Sequence, residues 1–297
     1  MPVLRIGTRG SRLALVQAQW VADQLQGLSP DLEVVLEVID SKPVVKAGNP
    51  KLGDGIFVKE IQNALLDGWV DIGVHSLKDL PTAPVEGLTV AAVPMRADAR
   101  EALVGSTLEG LPREARVGTS SPRRTAQLRH LRPDLQVVPL AGNIPTRIEK
   151  VARGEYHAAM RAAAGLHRLG IEPDDVIPIH LALPAPGQGA LAIEVRSDAP
   201  LVAVLVGQLH HKATADEVEA ERAVLSNLGG GCMLPVSAYG LSDAEILVLE
   251  ARVISSDGGV QIKHIARGPA SDRLALANEV ARHLIEQGAR AMLGLDG

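Results

Sequence analysis

Apolar and polar positions alternate with two different periods along the chain. Residues 4–7 read as a short strand, and 32–39 alternates and is β-branched, a second strand. Between them Leu13, Val16, Trp20, Val21 and Leu25 recur at helical spacing, and Ser11 stands where an N-cap belongs. A helix over 56–66 and strands over 71–74 and 88–93 follow. The pattern then restarts. Strands are predicted at 102–104 and 116–118, a helix opened by Ser121 and Pro122, a strand at 135–140, a helix at 146–153 and a strand at 157–160. Two β/α series of similar size predict two α/β domains, not one long sheet. Residues 184–189 (PAPGQG) read as a hinge-like crossing, and 191–195 adds one more strand.

Beyond the crossing the pattern changes. Residues 214–228 predict an acidic-capped helix that delivers the chain to Gly229-Gly230-Gly231-Cys232. Strand-like runs at 236–239, 246–254 and 260–266 follow, the last two joined by the hairpin signal Ser256-Asp257-Gly258-Gly259. A helix from Asp272 to about Leu293 closes the chain, with Leu274, Ala277, Val280, Ala281 and Leu284 on one face. This third unit is α+β. Residues 40–55 hold glycines and prolines without periodicity and read as a long loop, a candidate lid.

Composition narrows the picture in three ways. Aromatic residues are only 2% of the chain, so the cores are built from Leu, Val, Ile and Ala. A net charge of −5 with no lysine-rich block argues against a nucleic-acid partner. A single cysteine excludes an internal disulfide framework and a cysteine-rich zinc site. With no apolar run of signal-peptide or membrane-spanning length, the cytoplasm is the expected compartment. His210-His211 lack further ligands at metal-binding spacing, so no metal is expected.

Charged residues recur where strands end and helices begin: Arg9, Lys78, Asp79, Arg123, Arg124 and Arg147. Ligands of open α/β sheets lie beyond the carboxyl ends of strands, helix N-termini favour anions, and arginine grips carboxylates with paired hydrogen bonds. The recurrence points to an anionic ligand; each residue taken alone is equally a solvated surface charge. Asp79 is an acid among basic neighbours, either a turn cap or a group that moves protons and stabilises a cation. His75 is expected to pack at a strand end. Cys232, after three glycines, is either an attachment point or a small buried hydrophobe.

Nine stretches in order resemble the hydroxymethylbilane synthase (porphobilinogen deaminase) family: T-R-x-S-x-L-A-L-x-Q (8–17), F-V-K-E (57–60), H-S-L-K-D-L-P (75–81), G-T-S-S-x-R-R-x-x-Q-L (118–128), G-N-x-x-T-R (142–147), A-A-G-L-x-R-L-G (163–170), P-x-P-G-Q-G-A (184–190), A-E-R-A (220–223) and G-G-G-C (229–232). The resemblance implies two periplasmic-binding-protein-like α/β lobes around a cleft, plus a smaller α+β domain. Lobe 1 would be 1–97 with 190–210, lobe 2 98–189, and the cofactor-carrying domain 211–297. It implies a transferase that joins four porphobilinogen units head to tail into hydroxymethylbilane, releasing ammonia, in haem-type tetrapyrrole biosynthesis. Asp79 would be catalytic, and Cys232 would carry a dipyrromethane cofactor through a thioether. Arg9, Ser11, Ser76, Lys78, Thr119, Ser120, Ser121, Arg123, Arg124, Arg147, Arg168, Gln188 and Gly189 would contact cofactor and substrate. Family precedent implies a monomer.

The chain departs from the family pattern at four places. Ala141 stands where an arginine is usual, Asp54 where a lysine is usual, and Ser41-Lys42-Pro43-Val44 where a Thr-x-Gly-Asp turn is usual. Arg161 stands where the family has an apolar residue. Arg161 either restores charge lost at Ala141, which adds it to the cofactor-binding set, or is a rim substitution without consequence. The competing readings are a weakly active homologue and a two-lobed small-anion binding protein.

Overall fold

The structure is a computed structural model that describes residues 3–39, 56–230 and 234–295. It separates into two compact units: Met1–Arg96 with Ala190–Ala215, and Ala97–Gly189 with Asp216–Gly297.

The first unit begins with β1 (Val3–Thr8), α1 (Arg12–Leu28), β2 (Glu33–Val38), α2 (Ile56–Leu66), β3 (Ile72–Ser76) and β4 (Leu88–Ala92). The second contributes β5 (Glu101–Val104), β6 (Arg116–Gly118), α3 (Pro122–Leu131), β7 (Gln136–Val138), α4 (Ile144–Ala152), β8 (Ala158–Ala162), α5 (Ala163–His167) and β9 (Asp175–Ile177). The chain then returns with β10 (Leu191–Arg196), α6 (Pro200–Gly207) and α7 (Lys212–Asn227). It ends with β11 (Val236–Asp243), β12 (Ile246–Ile254), β13 (Gln261–Pro269), α8 (Arg273–Glu286) and α9 (Ala289–Met292).

The two five-stranded sheets follow one plan. In the first unit the order is β2-β1-β3-β10-β4, with β2, β1 and β3 parallel and β10 antiparallel to both neighbours. In the second the order is β7-β6-β8-β5-β9, with β5 in the place of β10. The third sheet, β11-β12-β13, is antiparallel throughout. Two α/β lobes and a smaller α+β part make up the expected fold class.

Each sheet buries an aliphatic core, as the scarcity of aromatics requires. Leu4, Ile6, Ile72 and Val74 meet Ala18, Val21, Ala22 and Leu25 of α1. Leu103, Val117, Ala158 and Met160 meet Leu128 of α3. Val236, Leu247, Leu249 and Val253 meet Val224 of α7 and Ala277, Val280 and Leu284 of α8.

Several sequence expectations are corrected. Trp20 is not on the buried face of α1: it is 41% exposed, two residues past buried Ala18 and so about 200° round the helix. The closing helix is broken after Glu286, where Gly288 takes φ +91° and starts α9. Leu274 is exposed and Leu276 takes its place on the buried face of α8. Helix α7 starts at Lys212 without an acidic first turn, so its acids are interior residues and not a cap. The strand read at 135–140 is only Gln136–Val138. Strand β9 and helix α5 are too short to show a period, and α6 is apolar all round, so none of the three was legible. The loop at 40–55 lies outside the described residues.

Candidate active site

In the first unit the site residues stand at the carboxyl ends of parallel strands. Arg9 follows β1 and is half-buried. Ser11 caps α1, accepting a hydrogen bond from the Ala14 amide at 3.3 Å. Ser76 ends β3 and exchanges hydrogen bonds with the buried Gln17 side chain at 3.1 and 3.3 Å. Two of the motifs, 8–17 and 75–81, therefore meet through a side-chain pair. Lys78 and Asp79 lie half-buried in the 3-10 turn Leu77–Asp79. That turn is pinned by Leu77 N–H donating to Ala190 O at 3.0 Å and Leu80 N–H donating to Leu77 O at 3.2 Å. Asp79 is thus held on short, fixed backbone.

His75 packs at the strand end as expected. Its Nε2 lies 3.1 Å from Glu194 Oε2, both groups buried, without hydrogen-bond alignment. Gln62 donates to the other Glu194 oxygen at 3.1 Å. His210 and His211 are occupied locally: His210 Nδ1 accepts from the Val93 amide at 3.3 Å, and His211 Nδ1 lies 2.9 Å from Thr214 Oγ1.

In the second unit the turn 119–121 uses all three hydroxyls. Thr119 Oγ1 accepts from the Ser121 amide at 3.2 Å, Ser120 Oγ donates to Leu140 O at 2.8 Å, and Ser121 caps α3. Arg123 and Arg124 then project into the core of the unit, onto a carboxylate that sequence reasoning missed. Glu101 is 0% exposed. It accepts from Arg123 Nη2 at 2.5 Å and from Arg124 Nε at 2.8 Å. Gln188 closes the group, its amide nitrogen 3.1 Å from Glu101 Oε1 and 2.8 Å from Ala99 O, its oxygen 3.4 Å from Arg124 Nη2. Burial pulls the Arg123 guanidinium below its ordinary pKa, and the Glu101 charge works against that fall. Two guanidiniums share one carboxylate, so the cluster carries a net positive charge.

Arg168, at the end of α5, is different. It donates to Gly189 O at 2.8 Å, and burial pulls its pKa down to about 10 with no acid among the described residues offsetting the cost. A guanidinium desolvated without a counter-charge gains most from an incoming carboxylate. The residues therefore fit a cofactor or substrate that carries carboxylates. Gly189 is required by geometry: φ is +88° and a Cβ would lie 2.5 Å from Ala97 O. Arg147, on α4, donates from Nε to Gly142 O at 2.6 Å, and Asn143 caps the helix through Thr146. Arg161 is half-buried in β8, paired in register with Ala102 of β5. Ala141 is exposed.

A second missed residue is Glu221 of the A-E-R-A motif. It is fully buried on α7 and accepts from Gly187 N–H at 2.6 Å and Gly240 N–H at 2.9 Å. It ties the 184–189 turn to β11. Cys232 and Asp54 lie outside the described residues.

Comparison with known proteins shows the family of the chain. Residues 4–203 match the porphobilinogen deaminase dipyromethane cofactor binding domain, and 215–286 the porphobilinogen deaminase C-terminal domain. The porphobilinogen deaminase of Moorella thermoacetica is 44% identical over 298 residues, 98% of this chain and 95% of that protein. That of Roseiflexus sp. is also 44% identical, covering 98% of each chain. The Deinococcus deserti protein is 43% identical over 99% of this chain and 98% of its own. Two domain matches in order, with relatives aligned over almost their whole length, place the chain in the porphobilinogen deaminase family.

Proposed function

We propose that the protein is a transferase that joins four porphobilinogen units head to tail into linear hydroxymethylbilane, releasing one ammonia per unit. The observation that carries this reading is the near-full-length match to porphobilinogen deaminases.

Asp79 is the catalytic carboxylate. Loss of ammonia from porphobilinogen leaves an electrophilic cation, and a fixed, half-buried carboxylate stabilises that charge and moves the pyrrole N–H proton. Cys232 anchors a dipyrromethane through a thioether, a bond that a reducing cytosol does not cleave. When bound, that group supplies the pyrrole end to which units are added. Each unit carries an acetate and a propionate, so the growing chain is a polyanion. Arg168 is the cation best placed to gain from those carboxylates. The Glu101–Arg123–Arg124 cluster supplies a rigid, net positive support. Arg9, Ser11, Ser76, Lys78, Thr119, Ser120, Ser121, Arg147, Gln188 and Gly189 complete the set. We assign 211–297 as the cofactor-carrying domain, and a cytoplasmic monomer as the working form. Among the described residues no helix is long and apolar enough to cross a membrane.

The intact mass of the purified protein tests this reading. A dipyrromethane increment is expected, absent from the Cys232→Ser variant. Protein that stays unmodified after incubation with porphobilinogen overturns it.

A further inference from the structure

The C-terminal part contains a group of side chains that the proposed reaction does not use. His264 is on β13; Glu279 and His283 are one turn apart on α8, which packs over that sheet. The His264 and His283 rings stack with centroids 3.9 Å apart and planes within 6°. His264 Nε2 is buried, has no hydrogen-bond partner among the described residues, and lies 3.6 Å from Glu279 Oε1. His283 Nδ1 lies 3.0 Å from the Glu279 carbonyl oxygen. If Nδ1 carries the proton for that contact, Nε2 of His283 is left with its lone pair. One donor atom from each of the three residues lies within 4.8 Å of the others.

We infer that His264, Glu279 and His283 form a binding site for a divalent transition-metal ion of the Zn²⁺ class. Two imidazoles and one carboxylate are an N₂O donor set suited to Zn²⁺ or Co²⁺ and poorly suited to Ca²⁺ or Mg²⁺. Residues four apart on a helix present both groups to one ion, and the bond from His283 Nδ1 to a backbone carbonyl is the outer contact that orients a ligating imidazole. Bonds of about 2.0–2.2 Å to one ion bring the donors closer than they now stand. The rings are parallel, so their lone pairs do not converge; one ring must tilt out of the stack. Binding therefore clamps α8 to β13 and ends the stacking. No local spacing marks this site, because Glu279 and His283 lie 15 and 19 residues from His264 and meet it only through the packing of α8 on β13.

The test titrates the chelator-treated full-length protein with Co²⁺ and then Zn²⁺. The expected result is one Co²⁺ per chain, with visible bands of nitrogen and oxygen ligation and no thiolate charge-transfer band. Zn²⁺ displaces it and raises the unfolding midpoint. His283→Ala, at a partly exposed position, and His264→Ala should each weaken binding at least ~10-fold. In ¹⁵N spectra the ring nitrogens of both histidines should move on Zn²⁺ addition. No stoichiometric Co²⁺ binding, a thiolate band, or binding unchanged in His283→Ala overturns the site. Turnover is a separate measurement, so failure here leaves the proposed reaction untouched.

Discussion

Arg124 Nε donates to Glu101 Oε2 at 2.8 Å, while Arg123 holds the other oxygen of the same buried carboxylate. Removing the acid strands two guanidiniums in the core of the second unit. Glu101→Ala should destabilise the protein by about 3–5 kcal/mol, the usual cost of leaving a buried charge unpaired. Urea unfolding measures it. A loss below about 1 kcal/mol would mean that solvent or another acid replaces Glu101.

Asp79→Asn keeps the size and shape of the side chain and removes its charge and proton capacity. The unfolding midpoint should stay near that of the parent, while turnover falls by at least the ~10²-fold typical of a lost general acid–base group. Near-normal turnover in this variant removes Asp79 from the mechanism.

Arg168 separates stability from binding. Its guanidinium bears a desolvation cost with no acid among the described residues to offset it, so Arg168→Met should leave stability unchanged or raise it slightly. Cofactor loading, read by intact mass, should fall. A variant that loses stability and loads normally would make Arg168 a purely structural residue.

Two glycines with positive φ should respond differently to alanine. At Gly189 the new Cβ would meet the Ala97 carbonyl oxygen at 2.5 Å, backbone that cannot rotate away. At Gly170, φ +69°, nothing lies within 4 Å. Gly170→Ala should cost about 1 kcal/mol for its dihedral alone. Gly189→Ala should cost more, about 2–3 kcal/mol or above. Parallel denaturant titrations compare them, and equal costs would contradict the close approach.

Asp98 makes an acid-range prediction. Burial works to raise its carboxyl, but hydrogen bonds from the Arg100 side chain and amide outweigh this and hold it below its ordinary value. The folded pKa is depressed, so the contribution is present above the unfolded carboxyl range, about pH 3.9, and is lost as pH falls through the folded value. Arg100 is 47% exposed, so the contribution is under about 1 kcal/mol. The stability gap between the parent and Asp98→Asn should be widest near neutral pH and close on acidification. A gap that is constant with pH would contradict the pairing.

The legible parts of the chain were those set by local rules. The Ser11 and Ser121 caps, the hairpin at 256–259 and the placement of Lys78-Asp79 after a strand all depend on residues a few positions apart. The family resemblance likewise named Arg123, Arg124 and Gln188 among its thirteen expected contact residues. What could not be read was their common partner: Glu101 begins a four-residue strand, and only the sheet brings it beneath α3. Gln17 and Glu221 were hidden in the same way, each inside a motif but paired across 59 and 34 residues. Exposed Trp20 and Leu274 show the opposite error, since hydrophobicity at helical spacing does not say which flank of the stripe faces inward.

The placement of β10 has a consequence for the order in which the chain can fold. Among the described residues β4 pairs only with β10, and β10 also covers the free edge of β3. A ribosome that has made residues 1–96 has therefore made every other strand of the first sheet but cannot close it. Two open edges wait while the whole second lobe is synthesised, until residue 196 has emerged. The N-terminal lobe begins first and finishes late, and its unpaired β3 and β4 edges are the surfaces most open to mispairing in the nascent chain.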